Sequence, residues 1–149
     1  HRDLKPGNVI LQPKGELDFS VAILDLLASR KGRRGADLAA FEHCAGYTSP
    51  EQLQGEVPTA KQDVFSLAII LYELLAPENR HPTGVLLHEP VRRLWQKDVE
   101  IIPIQAVRPE VSRRLAYVVH RGFHPDPFRR YDSVTVFASA LRESLSEAN

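Results

Sequence analysis

The sequence predicts a mainly α-helical domain with a small β-hairpin at one face. Apolar residues recur at helical spacing in three long stretches, 60–75, 111–123 and 133–145. Near the start, two short β-prone segments, 9–11 and 19–24, are separated by residues that favour a turn. The chain has 149 residues, which suits one domain. Folding at this size buries about 70% of the surface that the unfolded chain exposes.

The stretch 60–75 predicts the central helix of this domain. Its apolar side chains cover most of the helix surface and lie at Val64, Leu67, Ile70, Leu71, Leu74 and Leu75. A helix that is apolar on most sides is expected in the middle of a domain. Thr59 is a residue type that caps helix starts, and Pro77 lies just beyond the predicted end.

The remaining stretches complete the expected organisation. A short helix is expected at about 86–95, and the last part of the chain, about 111–147, should contain two amphipathic helices. No sustained periodicity occurs over 25–51. Within that range, the basic run 30–35 has two interpretations, a solvated loop or a site for an anion or peptide, and the solvated loop is favoured.

Composition and charge exclude several classes of function. The chain has 19 basic and 19 acidic residues, and a net charge of zero does not indicate a nucleic acid or a membrane as the main partner. Its apolar runs are far shorter than the roughly 20 residues that span a bilayer. The single cysteine, Cys44, excludes an internal disulfide and is typical of a reducing compartment. We therefore expect a cytoplasmic chain, while a membrane anchor elsewhere in a longer protein is compatible with it.

The first eight residues carry the strongest chemical signal. Asp3, Lys5 and Asn8 lie at spacings of two and three residues on a loop in which Pro6 fixes one backbone angle and Gly7 tolerates a tight backbone. A hydroxyl that attacks phosphorus requires a proton acceptor, a cation for the phosphoryl oxygens and a metal held by oxygen or amide ligands. Asp3, Lys5 and Asn8 could supply these three in turn. The pattern therefore predicts phosphoryl transfer.

Five segments resemble, in the same order, motifs of eukaryotic-type serine/threonine protein kinases, and the segments 49–52 and 129–133 look similar to bacterial members of that family. The five are the catalytic loop 1–8, the strand and magnesium-binding aspartate 21–27, the end of the activation segment 47–52, the central helix 63–75 and the late Asp-Pro-x-x-Arg motif 124–131. Together they cover nearly the whole chain. The resemblance implies the large C-terminal lobe of the protein-kinase-like fold, with the hairpin at the catalytic face.

The resemblance also implies roles for residues of the site. Asp3 orients the substrate hydroxyl and accepts its proton, while Lys5 assists catalysis and implies a serine or threonine acceptor. Asn8 and Asp25 hold Mg²⁺, and with Lys5 they bind the nucleotide. The implied cofactors are ATP and Mg²⁺, and the implied partner is a protein substrate.

Five further residues are implied to support the site. His1 packs beneath the catalytic loop, and Arg2 precedes the catalytic aspartate. Glu51 and Arg130 form a buried ion pair that ties the activation segment to the last helices. The negative charge of Asp63, near the start of the central helix, interacts favourably with the helix dipole. The family resemblance also implies that Asp63 holds the backbone of the catalytic loop.

Other motifs of the family do not occur in this sequence. The glycine-rich strand pair over the phosphates, the strand lysine and the helix glutamate that pairs with it are absent from it. We therefore expect a partial kinase domain, 1–149, whose N-terminal lobe is a missing partner. The chain alone is expected to be inactive.

Two positions depart from the pattern of active kinases and leave two functions open. Leu27 stands where the family has a glycine, and Cys44 stands where it has a threonine whose hydroxyl bridges the catalytic aspartate and lysine. The favoured function is phosphorylation of serine or threonine on proteins. The alternative is a pseudokinase that binds partners or acts as a scaffold.

Overall fold

The computed structural model describes residues 1–16, 18–25, 45–76 and 101–146. These residues are mostly helical and contain one two-stranded antiparallel sheet, which confirms the predicted fold class. Their strands and helices are β1 (Val9–Pro13), β2 (Phe19–Ile23), α1 (Pro50–Leu53), α2 (Ala60–Leu75), α3 (Ile104–Val107), α4 (Arg113–Gly122) and α5 (Val134–Ser146). In the same part of the chain, 3-10 turns occur at Pro6–Asn8, Ala45–Tyr47 and Pro127–Arg129.

The hairpin formed by β1 and β2 has one entirely apolar face. Its three apolar cross-strand pairs are Val9 with Ile23, Leu11 with Val21 and Pro13 with Phe19. Because side chains alternate along a strand, these six residues share one face of the sheet. Leu11 and Val21 are each 61% exposed. The described part of the chain therefore leaves this face largely open to solvent.

Helix α2 lies in the middle of the described fold, as its apolar pattern predicts. Its fully buried side chains include Val64, Phe65, Ala68 and Ile69, and the helix packs against α4 and α5. A glycine makes the closest of these approaches possible. A Cβ atom on Gly122 would lie 2.6 Å from Cβ of Ala68, which is closer than two carbon atoms can pack.

Three sequence-based details of the helices are wrong within the described residues. Thr59 precedes α2, but its side chain makes no capping hydrogen bond. Leu74 and Leu145, both expected on apolar faces, are 69% and 57% exposed. The periodicity identifies the apolar residues of a helix, but the packing of its neighbours decides which of them are buried.

Several expectations fall on residues outside the described ranges. They concern the helix at about 86–95, the basic run 30–35, the departures at Leu27 and Cys44, and most of the activation segment 25–51. Within the described residues, no helix is both long enough and apolar enough to cross a membrane.

Candidate active site

Three of the sequence-predicted site residues meet in the catalytic loop. Nζ of Lys5 lies 3.2 Å from Oδ2 of Asp3, and Nδ2 of Asn8 lies 3.3 Å from the same oxygen. Nδ2 of Asn8 also donates a 2.8 Å hydrogen bond to the backbone carbonyl of Asp3. One oxygen of the Asp3 carboxylate therefore contacts both the ammonium group of Lys5 and the side-chain amide of Asn8.

A short turn sets the positions of these side chains. Pro6 opens the 3-10 turn, and the backbone N–H of Asn8 donates a 2.9 Å hydrogen bond to the carbonyl of Lys5. Proline suits the first position of a helical turn because its φ angle is already fixed and no N–H is needed there. Leu4 and Asn8 are each 5% exposed. Buried side chains therefore anchor the loop on both sides of Lys5.

Asp25 follows β2 and is brought to the loop by the hairpin. The backbone N–H of Leu24 donates a 2.8 Å hydrogen bond to the carbonyl of Asn8, so Asp25 comes directly after the residue that pairs with Asn8. Its φ angle is 60°, a left-handed conformation that aspartate adopts more readily than most other L-residues.

The carboxylate of Asp63 lies behind the start of the loop. Its Oδ2 is 2.7 Å from the backbone nitrogen of His1, and its Oδ1 is 2.8 Å from that of Arg2. Nε2 of His1 is 2.8 Å from the carbonyl of Leu24, so the ring connects the loop to the end of β2. Gln52 Nε2 donates a 2.6 Å hydrogen bond to the carbonyl of Arg2.

Glu51 and Arg130 form a buried bidentate ion pair. Nη1 and Nη2 of Arg130 lie 2.6 Å and 2.8 Å from the two carboxylate oxygens of Glu51. The other N–H groups of the guanidinium donate to the backbone carbonyls of His124, Pro125 and Lys61. Burial alone raises the pKa of Glu51, but the hydrogen bonds and positive charge of Arg130, together with hydrogen bonds from the backbone and Ser49, outweigh it and hold that pKa below its ordinary value.

A second buried polar pair joins the turn Ala45–Tyr47 to α2. The phenol of Tyr47 donates a 2.7 Å hydrogen bond to Oε2 of Glu73, and the hydroxyl of Ser66 donates a 2.6 Å hydrogen bond to the carbonyl of Tyr47. Glu73 is 5% exposed. Burial raises the pKa of Glu73 to about 7, although the hydrogen bond from Tyr47 lowers it. Burial and the nearby Glu73 carboxylate also raise the pKa of Tyr47.

The contributions of Gln52 and Glu73 were not foreseen from the sequence. Glu73 has a usable signal, because it is the one charged residue of the helix segment 67–75. An acid at such a position is expected to find a buried partner. Gln52 has no such signal, since its contact with Arg2 depends on how α1 packs against the catalytic loop.

The donor groups at the loop fit one kind of metal ion. Within the described residues, no cluster of three or more His, Cys, Asp and Glu side chains could hold a metal by itself. Mg²⁺ does not need such a cluster, because it keeps several waters and is bound by one or two carboxylates together with substrate phosphates. The oxygens of Asn8 and Asp25 are compatible with that mode of binding.

Comparison with known families agrees with this geometry. The family model of the protein kinase domain matches residues 1–141. The chain belongs to the protein kinase family. This kinase chain is 33% identical to the serine/threonine-protein kinase PknB of Mycobacterium tuberculosis, over 97% of this chain and 22% of PknB. It is 29% identical to the tyrosine-protein kinase MasK of Myxococcus xanthus, over 99% of this chain and 22% of MasK.

The fold also matches a solved kinase domain. The crystal structure of the PknI kinase domain of Mycobacterium tuberculosis superposes with a TM-score of 0.62 at 25% identity, covering 97% of this kinase chain and 46% of the PknI chain. The first curated relatives are much longer, and this kinase chain spans 15% to 22% of their lengths.

Proposed function

We propose that this kinase chain supplies the catalytic loop for ATP-dependent phosphorylation of serine or threonine on protein substrates. The observation that carries the proposal is the meeting of Lys5 Nζ and Asn8 Nδ2 at Asp3 Oδ2, at 3.2 Å and 3.3 Å. Membership of the protein kinase family supports protein phosphorylation as the reaction class. The name of PknB supports serine or threonine as the acceptor.

Asp3 is the proposed base of this reaction. Its side chain is 15% exposed, so a substrate hydroxyl can reach the carboxylate while most of the group stays fixed by the protein. Asp3 orients that hydroxyl and accepts its proton as the oxygen attacks phosphorus. Lys5 is in contact with Asp3 and places a positive charge where negative charge develops on the phosphoryl oxygens.

Asn8 and Asp25 are the proposed ligands of Mg²⁺, which neutralises charge on the phosphates of ATP when it is bound. Nδ2 of Asn8 donates to both the backbone carbonyl and the carboxylate of Asp3. These two contacts orient the amide and leave its carbonyl oxygen as the metal-binding atom. The carboxylate of Asp25 would complete the protein's share of the ligands.

The test is a kinase assay of the full-length protein with labelled ATP, Mg²⁺ and a serine/threonine peptide library. Asp3→Asn keeps the shape of the side chain but removes the base, so kcat should fall at least ~100-fold. Asp18→Asn changes an exposed carboxylate in the hairpin loop and is the matched control. An Asp3→Asn variant as active as the wild type would contradict the role of Asp3. Phosphotyrosine as the product would contradict the proposal that serine or threonine is the acceptor.

A pseudokinase is the second candidate, and the sequence at Leu27 and Cys44 favours it. Under this alternative the full-length protein binds partners without efficient phosphoryl transfer. Leu27→Gly restores backbone freedom next to the metal-binding segment. A several-fold rise in kcat for Leu27→Gly would show that Leu27 impairs a working kinase. An inactive wild type that Leu27→Gly does not rescue would favour the pseudokinase.

A further inference from the structure

The backbone of Arg2 is held on both sides by side chains from other elements. Its nitrogen lies 2.8 Å from Oδ1 of Asp63, which belongs to α2. Its carbonyl accepts a 2.6 Å hydrogen bond from Nε2 of Gln52, which belongs to α1. Two elements that are distant in sequence therefore fix the single residue that precedes Asp3.

Arg2 requires this support because its φ angle is 71°. Left-handed backbone is adopted readily by glycine and, less readily, by asparagine and aspartate, but it is unfavourable for arginine. If Arg2 relaxed to a right-handed or extended conformation, the direction of the next residue would change. The carboxylate of Asp3 would then move away from Lys5 and Asn8.

Gln52 is itself placed by a rigid anchor. Glu51, the residue before it, is fixed by the two hydrogen bonds from Arg130. The backbone N–H of Leu53, the residue after it, donates a 3.0 Å hydrogen bond to the carbonyl of Ser49, the residue that precedes α1. The amide of Gln52 therefore reaches Arg2 from a segment whose backbone is fixed on both sides.

We propose that Gln52 is a positioning residue for Asp3. Its amide holds Arg2 in the left-handed conformation that directs the Asp3 carboxylate towards the substrate hydroxyl. This role rests on the proposed function of Asp3 as the base. It requires a hydrogen-bond donor at Nε2, because the atom it contacts is a carbonyl oxygen that only accepts.

The first test changes the donor in the full-length protein. Gln52→Met removes the donor at similar size, and Gln52→Glu replaces it with an acceptor that repels the Arg2 carbonyl. We expect kcat to fall about 10-fold for Gln52→Met and further for Gln52→Glu, with KM for ATP and peptide unchanged. Gln54→Met, an exposed glutamine two residues away, should match the wild type. A wild-type kcat for Gln52→Met would overturn the proposal.

The second test asks whether Gln52 acts through the conformation of Arg2. Arg2→Gly and Arg2→Ala both remove the arginine side chain, but only glycine adopts a φ angle of about 70° without strain. Gln52→Met should therefore lower kcat much less in the Arg2→Gly background than in the Arg2→Ala background. Equal losses in the two backgrounds would show that Gln52 does not act by holding Arg2.

A third measurement keeps the positioning role testable if the full-length protein has no kinase activity. Hydrogen exchange at the backbone amides of residues 2 and 3, followed by mass spectrometry, reports on the loop directly. Gln52→Met should increase exchange at these amides several-fold, while Gln54→Met leaves it unchanged. If the full-length protein is inactive but Gln52→Met still increases exchange at these amides, Gln52 positions the loop and only the proposed function is wrong. Unchanged exchange would overturn the positioning role itself.

Discussion

The phenol of Tyr47 and the carboxylate of Glu73 share a 2.7 Å hydrogen bond inside the fold. Glu73 is 5% exposed, and within the described residues its second oxygen, Oε1, has no hydrogen-bond partner. A buried carboxylate with one neutral donor is poorly stabilised in its charged form. The pKa of Glu73, raised to about 7 mainly by burial, reflects this.

We expect the contribution of Glu73 to the stability of the fold to fall as the pH rises from about 4.5 to about 7, because Glu73 binds its proton more tightly in the folded chain than in the unfolded chain. Above the folded-state pKa the loss is complete and levels off. One pKa unit corresponds to about 1.4 kcal/mol, so the full effect is on the order of 3 kcal/mol. Burial lowers the pKa of His120, whose contribution changes in the opposite direction.

Urea unfolding at pH 5 and pH 8 measures this effect. Glu73→Gln should lose less stability than the wild type between pH 5 and pH 8, since the amide does not titrate. Glu56→Gln replaces an exposed glutamate and should keep the wild-type pH dependence. A Glu73→Gln protein with the same pH dependence as the wild type would contradict the assignment.

Glu51→Gln should destabilise the fold by about 3 to 5 kcal/mol, because it leaves the buried charge of Arg130 without its counter-charge. The control is Glu143→Gln, which breaks an exposed contact of 3.7 Å to Arg114 and should cost less than about 1 kcal/mol. Both values follow from urea unfolding. Similar losses for the two variants would show that Glu51 and Arg130 are not a critical pair.

Gly122→Ala should destabilise the fold by about 1 to 3 kcal/mol through overpacking. The added Cβ would lie 2.6 Å from Cβ of Ala68 and 3.1 Å from the ring of Phe137, so α4 would have to move away from its neighbours. Gly7→Ala adds a Cβ that meets no atom within 4 Å. Thermal unfolding should show a lower Tm for Gly122→Ala and little change for Gly7→Ala, and the reverse order would be inconsistent with the packing.

Phosphorylation of the activation segment should not switch the full-length protein on. Many kinases use the arginine before the catalytic aspartate, here Arg2, to bind a phosphorylated residue of that segment. Residues 30–46 contain no serine, threonine or tyrosine. Phosphatase treatment should therefore leave kcat unchanged. A large loss of activity that maps to a phosphate within 25–51 would refute this expectation.

The helices were largely predictable because their signal is local. The central helix is observed at Ala60–Leu75, the range that the apolar pattern indicates. Helix α4 begins at Arg113, later than the pattern predicts, because the side chain of Ser112 accepts a hydrogen bond from the backbone N–H of Leu115 and caps it there. The exposure of Leu74 could not be predicted, since it depends on which elements pack against that side of α2.

For the site too, the local contacts were predictable from the sequence and the long-range contacts were not. Asp3, Lys5 and Asn8 come together through a turn within one octapeptide, so their spacing was sufficient to predict the meeting. The groups that hold this loop are remote, with Asp63 and Gln52 lying 61 and 50 residues from Arg2. Only the resemblance to a family indicated Asp63, and nothing in the sequence indicated Gln52. Neither periodicity nor spacing reports contacts of that range.

The hydrogen bonds of Arg130 have a consequence for the lifetime of the folded chain. Its five N–H groups join partners that lie 5, 6, 69 and 79 residues away in sequence. The distant bonds can form only after α1 and the start of α2 have reached their final places, so we expect them to be absent from the folding transition state. Contacts that form this late slow unfolding and leave the folding rate nearly unchanged. We therefore expect Arg130 to affect how long the native state persists more than how quickly it is reached.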